Sequence, residues 1–104
     1  MNPKPVIPRL LALQDVDEAI AHQVEAGSRQ TALAFIDALE VAFNHIGSFP
    51  ESGSPRHAHE LDIPGLRSWP LSGLPFLIFY IERQDHVDVW RVLHQRMDIP
   101  TRFE

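Results

Sequence analysis

The 104-residue chain has no cysteine, a single lysine (Lys4), a single tyrosine (Tyr80) and no apolar run approaching 18 residues. Without cysteine there is no disulfide, no thiol nucleophile and no Cys-based zinc site. Without a long apolar run, no segment reads as a membrane-spanning helix. The opening MNPKPVIPRL lacks the apolar centre of a secretory signal. These absences predict a cytoplasmic protein with no membrane contact. No P-loop, Rossmann fingerprint, zincin helix or nucleophile elbow occurs, so the sequence names no cofactor.

Positive charge is also scarce, and its distribution is uneven. The net charge is −5. Between Asp15 and Glu51 there are seven acids against Arg29 alone, whereas Leu66–Arg96 holds four arginines and three acids. The first half is therefore acidic and the second mildly basic. A nonspecific nucleic-acid binder needs a large positive field, which this chain lacks.

What is present, with 44% apolar residues, suits one small domain spanning residues 1–104. Residues 3–10 carry three prolines and read as an extended edge segment. Leu13, Val16, Ala19, Ile20 and Val24 keep helical spacing, predicting a helix over roughly 13–26 that Gly27 ends. Ser28 caps a second helix reaching about 45 or 46, with Ala32, Phe35, Ile36, Leu39, Phe43 and Ile46 on one stripe, broadened by Leu33 and Ala42. Gly47 and Pro50 close it. So short a junction makes the pair an antiparallel helical hairpin.

Residues 50–65 read as a turn-rich loop, followed by strands at 66–71, 75–82 and 86–94. The order is β-α-α-β-β-β. It predicts an α+β fold in which an antiparallel sheet packs against the helical hairpin. Phe76, Ile78 and Tyr80 alternate with Leu77, Phe79 and Ile81, so both faces of that strand are apolar and it is central.

Few residues carry chemistry. His57-x-His59-Glu60 contains metal-capable side chains, but two histidines on a loop with no further ligands read as a solvated loop. A basic group remains: Arg67, Arg83, Arg91, His94 and Arg96. By alternation Arg91 shares a face with Val87, Val89 and Leu93, while His94 lies with Trp90 and Val92. A guanidinium among such neighbours needs an anionic or carbonyl partner. The group is either a set of structural ion pairs at the sheet end or a functional basic patch.

Several local strings occur in a telling order: DVDEAI at 15–20, ALAFIDAL at 32–39, FPESG at 49–53, LRSWPL at 66–71, FLIFY at 76–80 and VWRVLHQRMDIP at 89–100. In these the chain resembles the ParE branch of the RelE/ParE superfamily of bacterial toxin–antitoxin toxins. The resemblance implies a type II toxin neutralised by a cognate, ParD-like antitoxin that covers the helical hairpin or extends a sheet edge. DNA would be met only through that antitoxin. ParE-type toxins are associated with poisoning DNA gyrase, whereas RelE-type toxins cleave mRNA on the ribosome. A non-toxic binding adaptor is a third reading.

The ribonuclease reading needs groups for proton transfer and for stabilising developing charge. RelE-like chains often carry an arginine where Phe76 stands, and typically a tyrosine near the C-terminus. Here the tail after Arg96 has no tyrosine, Lys4 is remote, and Tyr80 lies in an apolar run. The resemblance therefore points to a binding poison rather than an enzyme, with no catalytic residue, metal or cofactor assigned.

Overall fold

The computed structural model describes residues 2–103. Strand β1 (Val6–Pro8) leads directly into helix α1 (Leu10–Ala26), and helix α2 (Arg29–Ser48) returns antiparallel to it. The junction is a tight capping arrangement. Gly27 N–H donates to Gln23 O, Ser28 Oγ accepts from Thr31 N–H, and Thr31 Oγ1 accepts from Ser28 N–H. A short helix α3 (Arg56–Glu60), strands β2 (Leu66–Pro70), β3 (Phe76–Glu82) and β4 (Val87–His94), and a terminal turn of helix α4 (Ile99–Arg102) complete the chain.

The α+β class and the order of strands and hairpin agree with the sequence expectation. The sheet order is β1-β4-β3-β2. β2, β3 and β4 are antiparallel, but β1 adds alongside β4 in parallel, with Val6 opposite Val87 and Pro8 opposite Val89. The sheet is thus mixed rather than wholly antiparallel, because the helical hairpin carries the chain back before the next strand begins.

On α1 the inward stripe is Ala12, Val16, Ala19 and Ile20, whereas Leu13 and Val24 are 48% and 52% exposed. The helix is rolled so that Asp15, not Leu13, faces the sheet and bonds Arg91. On α2 Phe35, Ala42 and Ile46 are buried as expected, while Leu33 is half exposed. Nor does α2 stop at Gly47. It continues to Ser48, and Gly47 instead gives room to the N-terminal segment. A Cβ there would lie 2.8 Å from Lys4 O, whose own N–H donates to Gly47 O at 2.9 Å.

Beneath the hairpin, the core joins Phe35 and Ile46 to Phe76, Ile78, Tyr80, Val87, Val89 and Val92. The opposite face of the sheet holds Leu66, Phe79, Ile81 and Leu93, covered by Ala58, Leu61 and Ile63 on one side and Ile99 and Phe103 on the other. β3 is accordingly central and covered on both faces. Tyr80 is fully buried: its hydroxyl donates to Pro50 O (2.7 Å) and accepts from Gly53 N–H (3.0 Å). A Cβ at Gly53 would fall 2.2 Å from that oxygen, so only glycine fits there.

Simple alternation fails on β4. Phe79 pairs with Arg91 but Tyr80 pairs with Val89, leaving Trp90 as an extra residue in a β-bulge. The bulge reverses the phase. Val92 therefore joins Val87 and Val89 under the helices, and Leu93 goes with Trp90 to the other face. This overturns the grouping of Leu93 with Val87 and Val89 that strict period-2 reading gives.

The stretch 56–60, expected as open loop, is helical, and His57 within it is buried against Phe79 with ring centroids 5.2 Å apart. Its Nδ1 has no hydrogen-bond partner among the described residues. Both sheet edges are blunted. Ser54 and Ser68 exchange backbone hydrogen bonds on the outer side of β2, Leu66 N–H donates to Ile63 O, and Pro70 has no N–H. β1 is three residues long and flanked or ended by prolines at 5 and 8.

His57 generates a test of stability. Burial, reinforced by the neighbouring Arg56 and opposed by Glu60, holds its pKa below the ordinary value of 6.5. The folded state thus binds fewer protons than the unfolded one between its lowered pKa and about 6.5. Stability from this group is complete above that range and is lost as pH falls through it. Urea unfolding at pH 7.5 and pH 5 is expected to show a larger loss for the native chain than for His57→Leu.

Candidate functional site

The five basic residues do not form one surface. Arg67, on β2, donates from Nη1 to Gly53 O at 2.8 Å and buttresses the Tyr80 turn. Arg83 lies just past β3 and donates to Asp88 from Nε and Nη2 at 3.2 and 3.1 Å. Arg91, His94 and Arg96 lie toward the other end of β4, which at about 3.3 Å per residue is roughly 23 Å long. The structure thus brings His94 and Arg96 to one groove, while Arg67, Arg83 and Arg91 are engaged with other partners.

Arg91 is committed to structure. Its Nε and Nη2 bond both carboxylate oxygens of Asp15 at 2.7 and 2.6 Å, and Nη1 donates to Arg102 O at 2.7 Å. Asp15 Oδ2 also accepts Val92 N–H at 3.0 Å. The hydrogen-bonded Asp15 raises the Arg91 pKa further above its already high value, against the opposing effect of burial. Of the two readings, this arginine follows the ion-pair one.

His94 and Arg96 border an open groove of about 370 Å³ between α1 and the end of the sheet. Ala19, Phe76 and Val92 supply apolar lining, and Asp15, Glu18, His22 and Met97 line it too. Asp15, Glu18 and His22 fall at i, i+3 and i+7, one face of a helix, a spacing legible in the sequence but not used to group them. His94 Nδ1 accepts Arg96 N–H at 3.0 Å, so in its neutral form the ring carries its proton on Nε2. The ring also meets Phe76 edge-on, with centroids 5.2 Å apart. Among the described residues Arg96 makes no ion pair, leaving its guanidinium available to a ligand.

This geometry suits the binding of a ligand. The groove offers an apolar floor, one unpaired guanidinium and imidazoles on facing elements. Tyr80 is elsewhere, locked to Pro50 and Gly53. Burial raises its pKa, opposed by the Gly53 hydrogen bond and Arg67, so it is a neutral phenol at physiological pH. Lys4 is engaged by Glu82 and the Arg83 carbonyl, each at 2.7 Å. Among the described residues no group of three or more His, Cys, Asp or Glu side chains is placed to hold a metal, and no helix is long and apolar enough to cross a membrane.

Asp15 lines the groove and ties α1 to β4. Asp15→Ala leaves Arg91, 14% exposed, without its carboxylate. The expected loss is about 3 kcal/mol, the range for breaking one side of a buried pair. Denaturant unfolding measures it, and an unchanged midpoint would show that the pair holds nothing together.

Comparison with known proteins agrees with this architecture. No curated protein matches the chain. Among solved structures, one described as the chromosomal ParDE TA system from P. aeruginosa superposes with a TM-score of 0.74 at 17% identity, covering 88% of this chain and 95% of that one. At such identity the likeness shows the fold. The family described as ParE toxin of type II toxin-antitoxin system, parDE, matches residues 6–99, and the chain belongs to that ParE toxin family.

Proposed function

We propose that this protein is the toxin of a type II toxin–antitoxin pair, kept inactive by a ParD-like antitoxin and acting by binding DNA gyrase. The observation that carries the reading is the family match over residues 6–99, on a chain whose groove sets an apolar floor beside an unpaired guanidinium. The α1–β4 groove, with Arg96 and His94 at its border, is the surface we assign to target contact. Blunted sheet edges favour an antitoxin that covers side-chain surface over one that adds a strand. Exposed Leu10, with half-exposed Leu13, Val24 and Leu33, offers such surface on the helical hairpin.

A second reading has one observation in its favour. His22, His94 and Arg96 share the groove, and two imidazoles with a guanidinium could move protons around a phosphodiester. Under this reading the protein is a ribosome-dependent mRNA endoribonuclease, related in action to the RelE branch.

Expression without the antitoxin distinguishes the readings. Growth arrest with inhibited gyrase supercoiling and intact ribosome-bound mRNA is expected, relieved by co-expression of the antitoxin encoded beside it. Arg96→Ala is expected to weaken inhibition roughly tenfold, the cost of one charge-assisted contact. Abundant folded protein with normal growth would defeat the toxin reading, and cleaved mRNA with unaffected supercoiling would select the nuclease.

A further inference from the structure

The sheet face turned away from α1 and α2 is only partly covered. α3, α4 and their flanking residues shelter Leu66, Phe79, Ile81 and Leu93. Ile7 on β1 remains 52% exposed. It sits in register with Asp88 of β4, and Asp88 organises an unusual charged centre beside it.

Asp88 accepts hydrogen bonds from Arg9 Nε and Nη2 (3.0 and 2.9 Å), from Arg83 Nε and Nη2 (3.2 and 3.1 Å) and from Trp90 Nε1 (3.1 Å). Burial disfavours its charge, but the bonds from Arg9 and then Arg83 prevail and hold its carboxyl below the usual range. Both Nη2 atoms lie within 3.1 Å of the same oxygen, so they stand no more than about 6 Å apart. Arg9 is further fixed over Trp90, its Cζ 4.0 Å from the ring centroid.

One carboxylate cannot neutralise two guanidiniums. Among the described residues neither arginine pairs with a second carboxylate: Glu82 bonds Lys4, and Asp85 bonds the His86 ring. The side chains of Arg9 and Arg83 are 48% and 42% exposed, against 10% for Asp88. The surplus positive charge therefore faces solvent, preorganised and next to an exposed isoleucine.

We propose that this patch docks an acidic segment of a partner protein, with a carboxylate side chain received between Arg9 and Arg83 and an apolar neighbour packed on Ile7. The Nε and Nη2 edges of both arginines serve Asp88, so the Nη1 side of each half-exposed guanidinium is what meets an incoming carboxylate. A polyanion such as nucleic acid is disfavoured, because the two guanidiniums here already share one carboxylate and the whole chain is at −5. The surface is separate from the α1–β4 groove and does not depend on the toxin reading.

Titration followed by nitrogen–proton correlation NMR tests it. The probe is a short blocked peptide of alternating glutamate and leucine. Its controls are the same peptide with glutamine for glutamate, oligothymidylate, and inorganic phosphate at equal ionic strength. The Trp90 indole N–H and the Arg9 and Arg83 Nε–H signals are expected to move, while the indole of Trp69 stays still. Arg83→Gln, which leaves the Arg9–Asp88 pair intact, and Ile7→Ser should each weaken binding, the former roughly tenfold. Unmoved signals, equal binding of the glutamine peptide or of phosphate, or tighter binding of oligothymidylate would each overturn the proposal.

Discussion

Asp15 accepts two hydrogen bonds from Arg91 and one from the backbone of Val92, and this three-point contact ties α1 to the sheet. Much else depends on it. The roll of α1 that turns Asp15 inward leaves Leu13 half exposed and presents Glu18 and His22 to the groove. The same guanidinium reaches Arg102 O, so one side chain links the helical hairpin, the last strand and the C-terminal turn. A pair this sheltered adds little net stability over an apolar substitute. Its geometry instead specifies one arrangement of helix on strand, since misplacing either partner strands a charge.

The bulge at Trp90 makes that contact compatible with a packed core. An unbroken β4 would send Val92 away from Val87 and Val89. The extra residue lets all three face Phe35, Ile46 and their neighbours, while Trp90 and Leu93 serve the other side. Arg91 stands at the point of reversal. The strand's two ends thereby acquire different chemistry: an apolar groove bordered by His94 and Arg96 at one, and the Arg9–Asp88–Arg83 centre at the other.

A fold shared at 17% identity with a ParDE structure is consistent with this division of labour. The features that define the architecture are burial pattern, a capped helical junction and a central strand covered on both faces. These can be met by many sequences. The groups that would select a target or a partner are surface arginines and histidines resting on that frame, and fold alone does not dictate them.

The two long helices, the central strand and the α+β class were legible because each rests on local periodicity: Phe35 to Ile46 at helical spacing, and Phe76 to Ile81 with both faces apolar. The Ser28 cap was readable for the same reason, as its partner Thr31 lies three residues away. Long-range pairing was not readable. The parallel placement of β1, the phase reversal at Trp90 and the burial of His57 against Phe79 all come from contacts between distant segments. So does the dispersal of the basic residues. Sequence supplied five cationic candidates, but only the tertiary structure paired Arg91 with Asp15, 76 positions away, and Arg83 with the carboxylate that Arg9 shares. Local spacing decides which residues make an element, whereas the partner of a charge is whichever group the finished fold brings within hydrogen-bond reach.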